Sequence, residues 1–284
     1  MIKYSEFFYS IQGEGRWLGT PSVFLRTFGC NFECRGFGQG PDKSKWLPRD
    51  KMPHAVDPNI KKYTSYDQLP VAQIGCDTSA TWSMLYHHLT HQVPNEELAD
   101  KIVDIIPKKT WHSNFQDTHF IITGGEPLLW QKKLPDLLRQ KKFHDLKHIT
   151  FETNGSKKLS DDFIKFLNDE FNHVHVTFAV SPKLSISGEP WNKAINPAAI
   201  ATYRNIVNQE LFFKFVVSHE RDIEEVQKAY MEFNVEVPVY LMPCGGTKSE
   251  LEKTEVRVAN LALEHGYKFS PRAHVNIFGN KWGT

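Results

Sequence analysis

Three cysteines mark where chemistry could begin: Cys30 and Cys34 in Gly29-Cys30-Asn31-Phe32-Glu33-Cys34, and Cys76 in Gly75-Cys76-Asp77-Thr78. Three thiolates can hold three irons of a four-iron cluster and leave the fourth open to a ligand. Downstream, Thr123-Gly124-Gly125-Glu126-Pro127, Glu152-Thr153-Asn154-Gly155 and Ser181-Pro182-Lys183 combine small residues with hydrogen-bonding side chains. An open iron beside such segments suggests a cluster that acts on a bound ligand, not one that only carries electrons. The spacing by itself leaves other readings standing. Free cysteines are often simply buried. With Cys244 the set could also form a four-thiolate zinc site, although structural zinc sites pair their cysteines more tightly and Gly245-Gly246 reads as a turn.

The elements that must position these groups follow from hydrophobic patterning. Residues 23–28, 120–122, 148–151, 175–180, 212–217 and 237–241 read as strands, and a last strand is expected around 272–277. Helical spacing predicts helices over 95–106 with Asn95 as cap, around 134–140, after a Ser160 cap, and over 223–233 and 249–265. Alternating strands and helices mean parallel βαβ units, in a doubly wound sheet or a complete or partial barrel. Chemistry then belongs at the C-terminal strand ends. Cys30, Gly124, Glu152, Ser181 and Pro243 all fall just after predicted strands, so they are expected to face one site.

Residues 37–75 break the pattern. They carry Pro41, Pro48, Pro53, Pro58 and Pro70 and little apolar periodicity, which predicts an irregular loop inserted between the second and third cysteine. A loop that begins and ends at ligand positions is expected to shape or cover the site.

Composition narrows the class. A chain of 284 residues with 40% hydrophobic and 24% charged residues suits one large domain or two small ones, with length for a buried core. A net charge of +1 gives no global field favouring nucleic acid or an anionic membrane. No apolar run approaches a membrane span, and the opening Met1-Ile2-Lys3-Tyr4-Ser5-Glu6 has no signal-peptide core, so a cytoplasmic protein is expected. Four cysteines do not resemble a secreted disulfide framework.

Cys-x3-Cys with a later Cys-Asp-Thr, then Gly-Gly-Glu-Pro, resembles the radical S-adenosylmethionine enzymes. More narrowly, Tyr9-Ser10-Ile11-Gln12-Gly13-Glu14-Gly15 and Gly19-Thr20-Pro21-Ser22-Val23-Phe24-Leu25-Arg26 are similar to the opening of the 7-carboxy-7-deazaguanine synthases. Glu152-Thr153-Asn154-Gly155, Ser181-Pro182-Lys183, Lys214-Phe215-Val216-Val217 and the tail from Ser270-Pro271-Arg272-Ala273-His274-Val275 to Phe278-Gly279-Asn280-Lys281 share the likeness. One departure matters: most members of the superfamily place the third cysteine three positions after the second, where this chain has Phe37, and the Cys-Asp-Thr signature has moved to Cys76.

The resemblance implies a partial (β/α) barrel of mostly parallel strands, one domain over 1–284 with the irregular insert 37–75. It implies a [4Fe-4S] cluster on Cys30, Cys34 and Cys76, S-adenosylmethionine as cofactor, and Mg²⁺ on Thr78, a hard oxygen donor. S-adenosylmethionine would be held by Gly124, Gly125, Glu126, Glu152, Asn154, Ser181 and Lys183, with Glu126 accepting from its ammonium. The implied substrate, 6-carboxy-5,6,7,8-tetrahydropterin, would be read by Gln12, Glu14, Thr123 and His274, with Arg26 on its carboxylate. The implied product is 7-carboxy-7-deazaguanine, formed with loss of ammonia. An external one-electron reductant and a homodimer are expected, and no nucleic acid or membrane partner. The alternatives are a glycyl-radical activating enzyme of the same superfamily and a non-catalytic zinc-stabilised binding protein.

Overall fold

A computed structural model describes residues 1–284. Eight strands form one sheet in which each lies beside its neighbour in sequence: β1 (Tyr4–Ile11), β2 (Pro21–Thr27), β3 (His119–Gly124), β4 (His148–Thr153), β5 (His175–Val180), β6 (Gln209–Val217), β7 (Val239–Pro243) and β8 (Lys268–Phe269). β1 runs antiparallel to β2, and every later pair is parallel. Phe120, Ile121 and Ile122 are fully buried, as a parallel strand covered on both faces requires. Helices Leu134–Leu138, Asp161–Asp169, Pro197–Tyr203, Arg221–Phe233 and Lys248–His265 make the crossovers between successive strands from β3 to β8. One apolar cluster runs from Ile2 to Ala262, so strands and helices share a single interior. β1 and β8 are the unpaired edges, and the sheet is therefore an open, partial barrel. No helix is long and apolar enough to cross a membrane.

Most predicted elements stand within a few residues of their expected bounds; two details differ. Asn95 is the first residue of its helix and caps nothing with its side chain; Pro94 precedes it. The strand expected around 272–277 is a helix, Ala273–Phe278, and the last strand lies earlier at β8. Val275 and Phe278 stand three apart, a helical spacing, and Gly279 ends the turn in the left-handed region at φ 71°.

The direction of β1 has a consequence for the site. Because β1 is antiparallel, the loop after Ile11 starts at the N-terminal end of the parallel strands and enters the barrel from below. Gly15 N donates to Ser270 Oγ at 2.8 Å, and Ala273 N donates to Gly13 O at 2.9 Å. Those contacts bridge the gap between the sheet edges. Trp17 Nε1 donates to Thr177 Oγ1 at 3.2 Å, and its ring stands edge-on to His119, with centroids 4.5 Å apart. Trp17 is thus a plug, and residues 12–17 are a floor.

The 37–75 segment contains only short helical turns. Its ends are pinned together: Gly75 N donates to Phe37 O at 2.8 Å. The excursion therefore returns Cys76 to the side of Phe37, where the third cysteine is otherwise expected. Tyr66 and Leu69 from the segment join Ala80, Tyr86 and Leu89 in a small apolar cluster separate from the main core.

Candidate active site

Cys30, Cys34 and Cys76 gather around Phe32, Phe37 and Ala194 just beyond the C-terminal end of β2. Cys30 Sγ accepts from Phe32 N at 3.4 Å. Cys34 has φ 49°, a left-handed conformation that costs of order 1–3 kcal/mol in a non-glycine residue. Glu189 holds it there, one carboxylate oxygen accepting from both Glu33 N and Cys34 N at 2.8 Å. Burial pushes the Cys30 thiol up to about 12 and raises Cys34 and Cys76 as well, while Lys183 pulls Cys30 and Cys34 only partly back. Such thiols ionise when a cation supplies the missing charge. No group of three or more His, Cys, Asp or Glu side chains converges on the position of a single ion. Cys244 stands apart, its environment set by Ser218, Gly38 and Arg272.

The glycine pair serves packing more than ligand approach. A Cβ on Gly124 would lie 2.2 Å from Thr27 O, and one on Gly125 2.1 Å from Gly29 O. Both residues let the ends of β2 and β3 close beneath the cluster loop, and both also line the cavity. Glu126, expected to meet an ammonium group, is engaged by the protein itself. It is fully buried and outside the cavity lining. Its carboxylate accepts from Leu128 N, Thr153 Oγ1 and Asn154 N at 3.0, 2.8 and 2.8 Å, tying the β3 turn to the end of β4. Asn154 is likewise spent on structure: Nδ2 donates to Asn31 Oδ1 at 3.1 Å, while Oδ1 accepts from Ser156 N and Oγ. It anchors the loop between the first two cysteines and is not free to bind a cofactor with its amide.

A cavity of about 890 Å³ opens beside the thiols. Ser181 and Lys183 line it, with Lys183 Nζ donating to Ser181 O and Oγ at 2.8 and 3.0 Å. Gln12, Glu14, Arg26, Thr123 and His274, the expected substrate readers, line it too and share one space with the cysteines, as does Glu152, expected on S-adenosylmethionine. Glu152 accepts from Gln12 Nε2 and Thr123 Oγ1, each at 3.0 Å. Arg26 donates through Nε to Glu6 at 2.9 Å, and no protein acceptor engages its two terminal nitrogens. Thr78 Oγ1 lies 3.5 Å from Cys76 Sγ.

Glu14 differs from expectation, because its carboxylate is already paired. It meets Lys214 Nζ in a short ion pair and accepts from Arg272 Nε at 2.9 Å. Arg272 also donates to Asp77 at 2.6 Å, and Lys214 lies 3.9 Å from Glu152. A chain of alternating charge, buried at Lys214 and Arg272 and part-exposed at its ends, thus runs Glu152–Lys214–Glu14–Arg272–Asp77 and ends beside Cys76. Burial alone would raise the Glu14 carboxyl, but Lys214, Arg272 and His274 together hold it well below the usual range. Burial would likewise depress Lys214, but Glu14 and Glu152 raise it. Burial pushes His274 down to about 4, so its ring is neutral near pH 7. Gly13 is glycine for that ring, since a Cβ there would stand 2.1 Å from His274 Nδ1.

Sequence reading gave no site role to Lys214, Arg272, Asp77 or Glu189. Lys214 was the findable one: a lysine inside the apolar strand Phe212-Phe213-Lys214-Phe215 needs a buried partner.

A partial parallel barrel with three thiols at its C-terminal rim is the arrangement that the likeness to the radical S-adenosylmethionine enzymes leads one to expect. The crystal structure of QueE from Escherichia coli superposes with a TM-score of 0.53 at 20% identity, covering 96% of this chain and 94% of that one. More particularly, the chain is similar to 7-carboxy-7-deazaguanine synthases over nearly its whole length. That of Halobacterium salinarum is 29% identical over 98% of this chain and 91% of its own. That of Pyrobaculum aerophilum is 25% identical over 99% and 97%. No protein-family model matches the chain.

Proposed function

We propose that the protein is a radical S-adenosylmethionine lyase that converts 6-carboxy-5,6,7,8-tetrahydropterin to 7-carboxy-7-deazaguanine with loss of ammonia. The observation that carries this reading is the single cavity shared by the three thiols, Arg26 and the Glu152 group. The near full-length likeness to synthases of that name supports it. Cys30, Cys34 and Cys76 would hold a [4Fe-4S] cluster, which with S-adenosylmethionine supplies the one-electron chemistry of the reaction.

The chain's own residues bind, orient and shield. Arg26 offers its terminal nitrogens to the substrate carboxylate, a planar two-pronged contact. Glu152, fixed by Gln12 and Thr123, gives the flat pterin edge an acceptor in a constant position. His274 presents a neutral ring, able to donate through one nitrogen and accept through the other. Glu14 acts differently from its expected role: paired to both Lys214 and Arg272, it holds the floor still. Ser181 and Lys183 stand on the S-adenosylmethionine side of the cavity, where Lys183 can pair with a carboxylate.

Thr78 would offer its hydroxyl oxygen, 3.5 Å from Cys76 Sγ, to Mg²⁺, a cation that favours oxygen ligands. A homodimer and an external one-electron donor complete the working state. Residues 1–284 act as one domain, with 37–75 as an insert within it.

Anaerobic reconstitution with iron and sulfide, followed by product analysis with the pterin, tests the reading. Formation of 7-carboxy-7-deazaguanine is expected, and a reconstituted protein that cleaves S-adenosylmethionine without forming it would refute the assignment. Product formation should also rise with Mg²⁺. Thr78→Val should blunt that response severalfold while leaving the visible absorption unchanged, because valine keeps the shape and removes the oxygen.

A further inference from the structure

Arg26 is held on three sides. Its guanidinium lies over the Phe8 ring at 5.4 Å and over the Trp282 ring at 5.5 Å, and Nε is fixed by Glu6. What remains is one edge, the two terminal nitrogens, on a side chain that lines the cavity. A fork held this way loses little further freedom on meeting a carboxylate.

The two covering rings are supported differently. Phe8 belongs to β1 and stacks on Phe24 of β2, with centroids 4.9 Å apart, so the sheet fixes it. Trp282 lies beyond the last helix, in a segment wound through left-handed residues: Gly279 at φ 71°, Asn280 at φ 57° and Gly283 at φ 80°. No regular element holds it. Its support is Tyr66, whose ring centroid is 5.1 Å away, and the apolar cluster to which Tyr66 belongs. Tyr66 comes from the insert between Cys34 and Cys76. Asn280 Nδ2 adds one tie, donating to Gly246 O at 3.0 Å.

We infer that the insert and the tail form a brace for substrate recognition: Tyr66 seats Trp282, and Trp282 holds Arg26 in the plane needed to grip the substrate carboxylate. Trp282 is thus a positioning residue, and the insert contributes to the substrate site without touching the substrate. The inference rests on the proposed role of Arg26.

The test is titration of 6-carboxy-5,6,7,8-tetrahydropterin into cluster-loaded protein by calorimetry, beside steady-state kinetics. Trp282→Ala should weaken binding about tenfold, the scale of a partly desolvated cation–aromatic contact, raising KM with kcat nearly unchanged. Trp282→Phe should stay within about twofold of the parent. Tyr66→Ala should act in the same direction and less strongly. In an Arg26→Ala background, Trp282→Ala should add nothing, because the group it positions is gone. An equal further loss in that background would make Trp282 a general structural residue and overturn the inference. So would parent-like binding by Trp282→Ala when Arg26→Ala binds weakly. Parent-like binding by Arg26→Ala itself would remove the substrate role of Arg26, and the brace with it.

Discussion

The two ends of the barrel solve the same problem with different physics. At the C-terminal rim, the cluster loop is held by neutral contacts and close packing. Gly124 and Gly125 admit the backbone of Thr27 and Gly29, Asn154 bonds Asn31, and the carboxylates of buried Glu126 and part-buried Glu189 accept mainly from backbone amides. At the floor, positions are fixed by charge: Glu14 between Lys214 and Arg272, with Asp77 and Glu152 at the ends. Burial raises the rim thiols, as suits groups proposed to ionise only on meeting metal. The floor must be rigid before any ligand comes, and a chain of alternating charge gives that rigidity. The cost is that every member depends on its neighbours.

Removing rim ligands tests that contrast most severely. Cys30→Ala, Cys34→Ala and Cys76→Ala should each lose the cluster and all product formation while the chain stays folded, because the rim packing is neutral. Cys244→Ala should keep both. Iron and sulfide counts on the four variants decide it, and a Cys76→Ala protein with a full cluster would break the assignment.

A floor substitution should do the reverse, damaging the fold first. Glu14→Gln removes the one carboxylate that Lys214 and Arg272 share and leaves each buried cation with a single, partly exposed partner, Glu152 at 3.9 Å and Asp77 at 2.6 Å, a change expected to cost about 3–5 kcal/mol. Thermal or denaturant unfolding of the cluster-free protein measures it. A loss under about 1 kcal/mol would mean that water reaches the chain and screens it.

The smallest effect is a pH slope. His119, beneath Trp17, is held at about 3 against its usual 6.5, by burial first and then by His148. The unfolded chain takes up a proton that the folded chain refuses. Stability from this residue is therefore complete above about pH 6.5 and is lost as pH falls toward 3. The slope is about 1.4 kcal/mol per pH unit per proton. His274, held near 4 mainly by burial, adds to it over the upper part of the same window. His119→Phe keeps a ring against Trp17 and should flatten the slope between about pH 6 and 4 by roughly one proton. An unchanged slope in unfolding free energy would show that His119 already titrates freely in the fold.

The sequence by itself determined the strand–helix alternation and the end of the sheet where chemistry lies, because periodicity and strand ends are local properties. The family resemblance carried by the Cys-Asp-Thr signature also pointed to Cys76 as the expected third ligand, although nothing local says how the chain returns to it. The tertiary structure decided what depends on partners far apart in sequence. It closed the insert by pairing Gly75 with Phe37 and turned Glu126 and Asn154 from ligand groups into ties. It also bound Glu14 to Lys214 and Arg272, some 200 positions away or more, so that an apparent substrate reader became the centre of the floor. A buried carboxylate needs a counter-charge wherever the chain can bring one, and only the folded sheet brings these together.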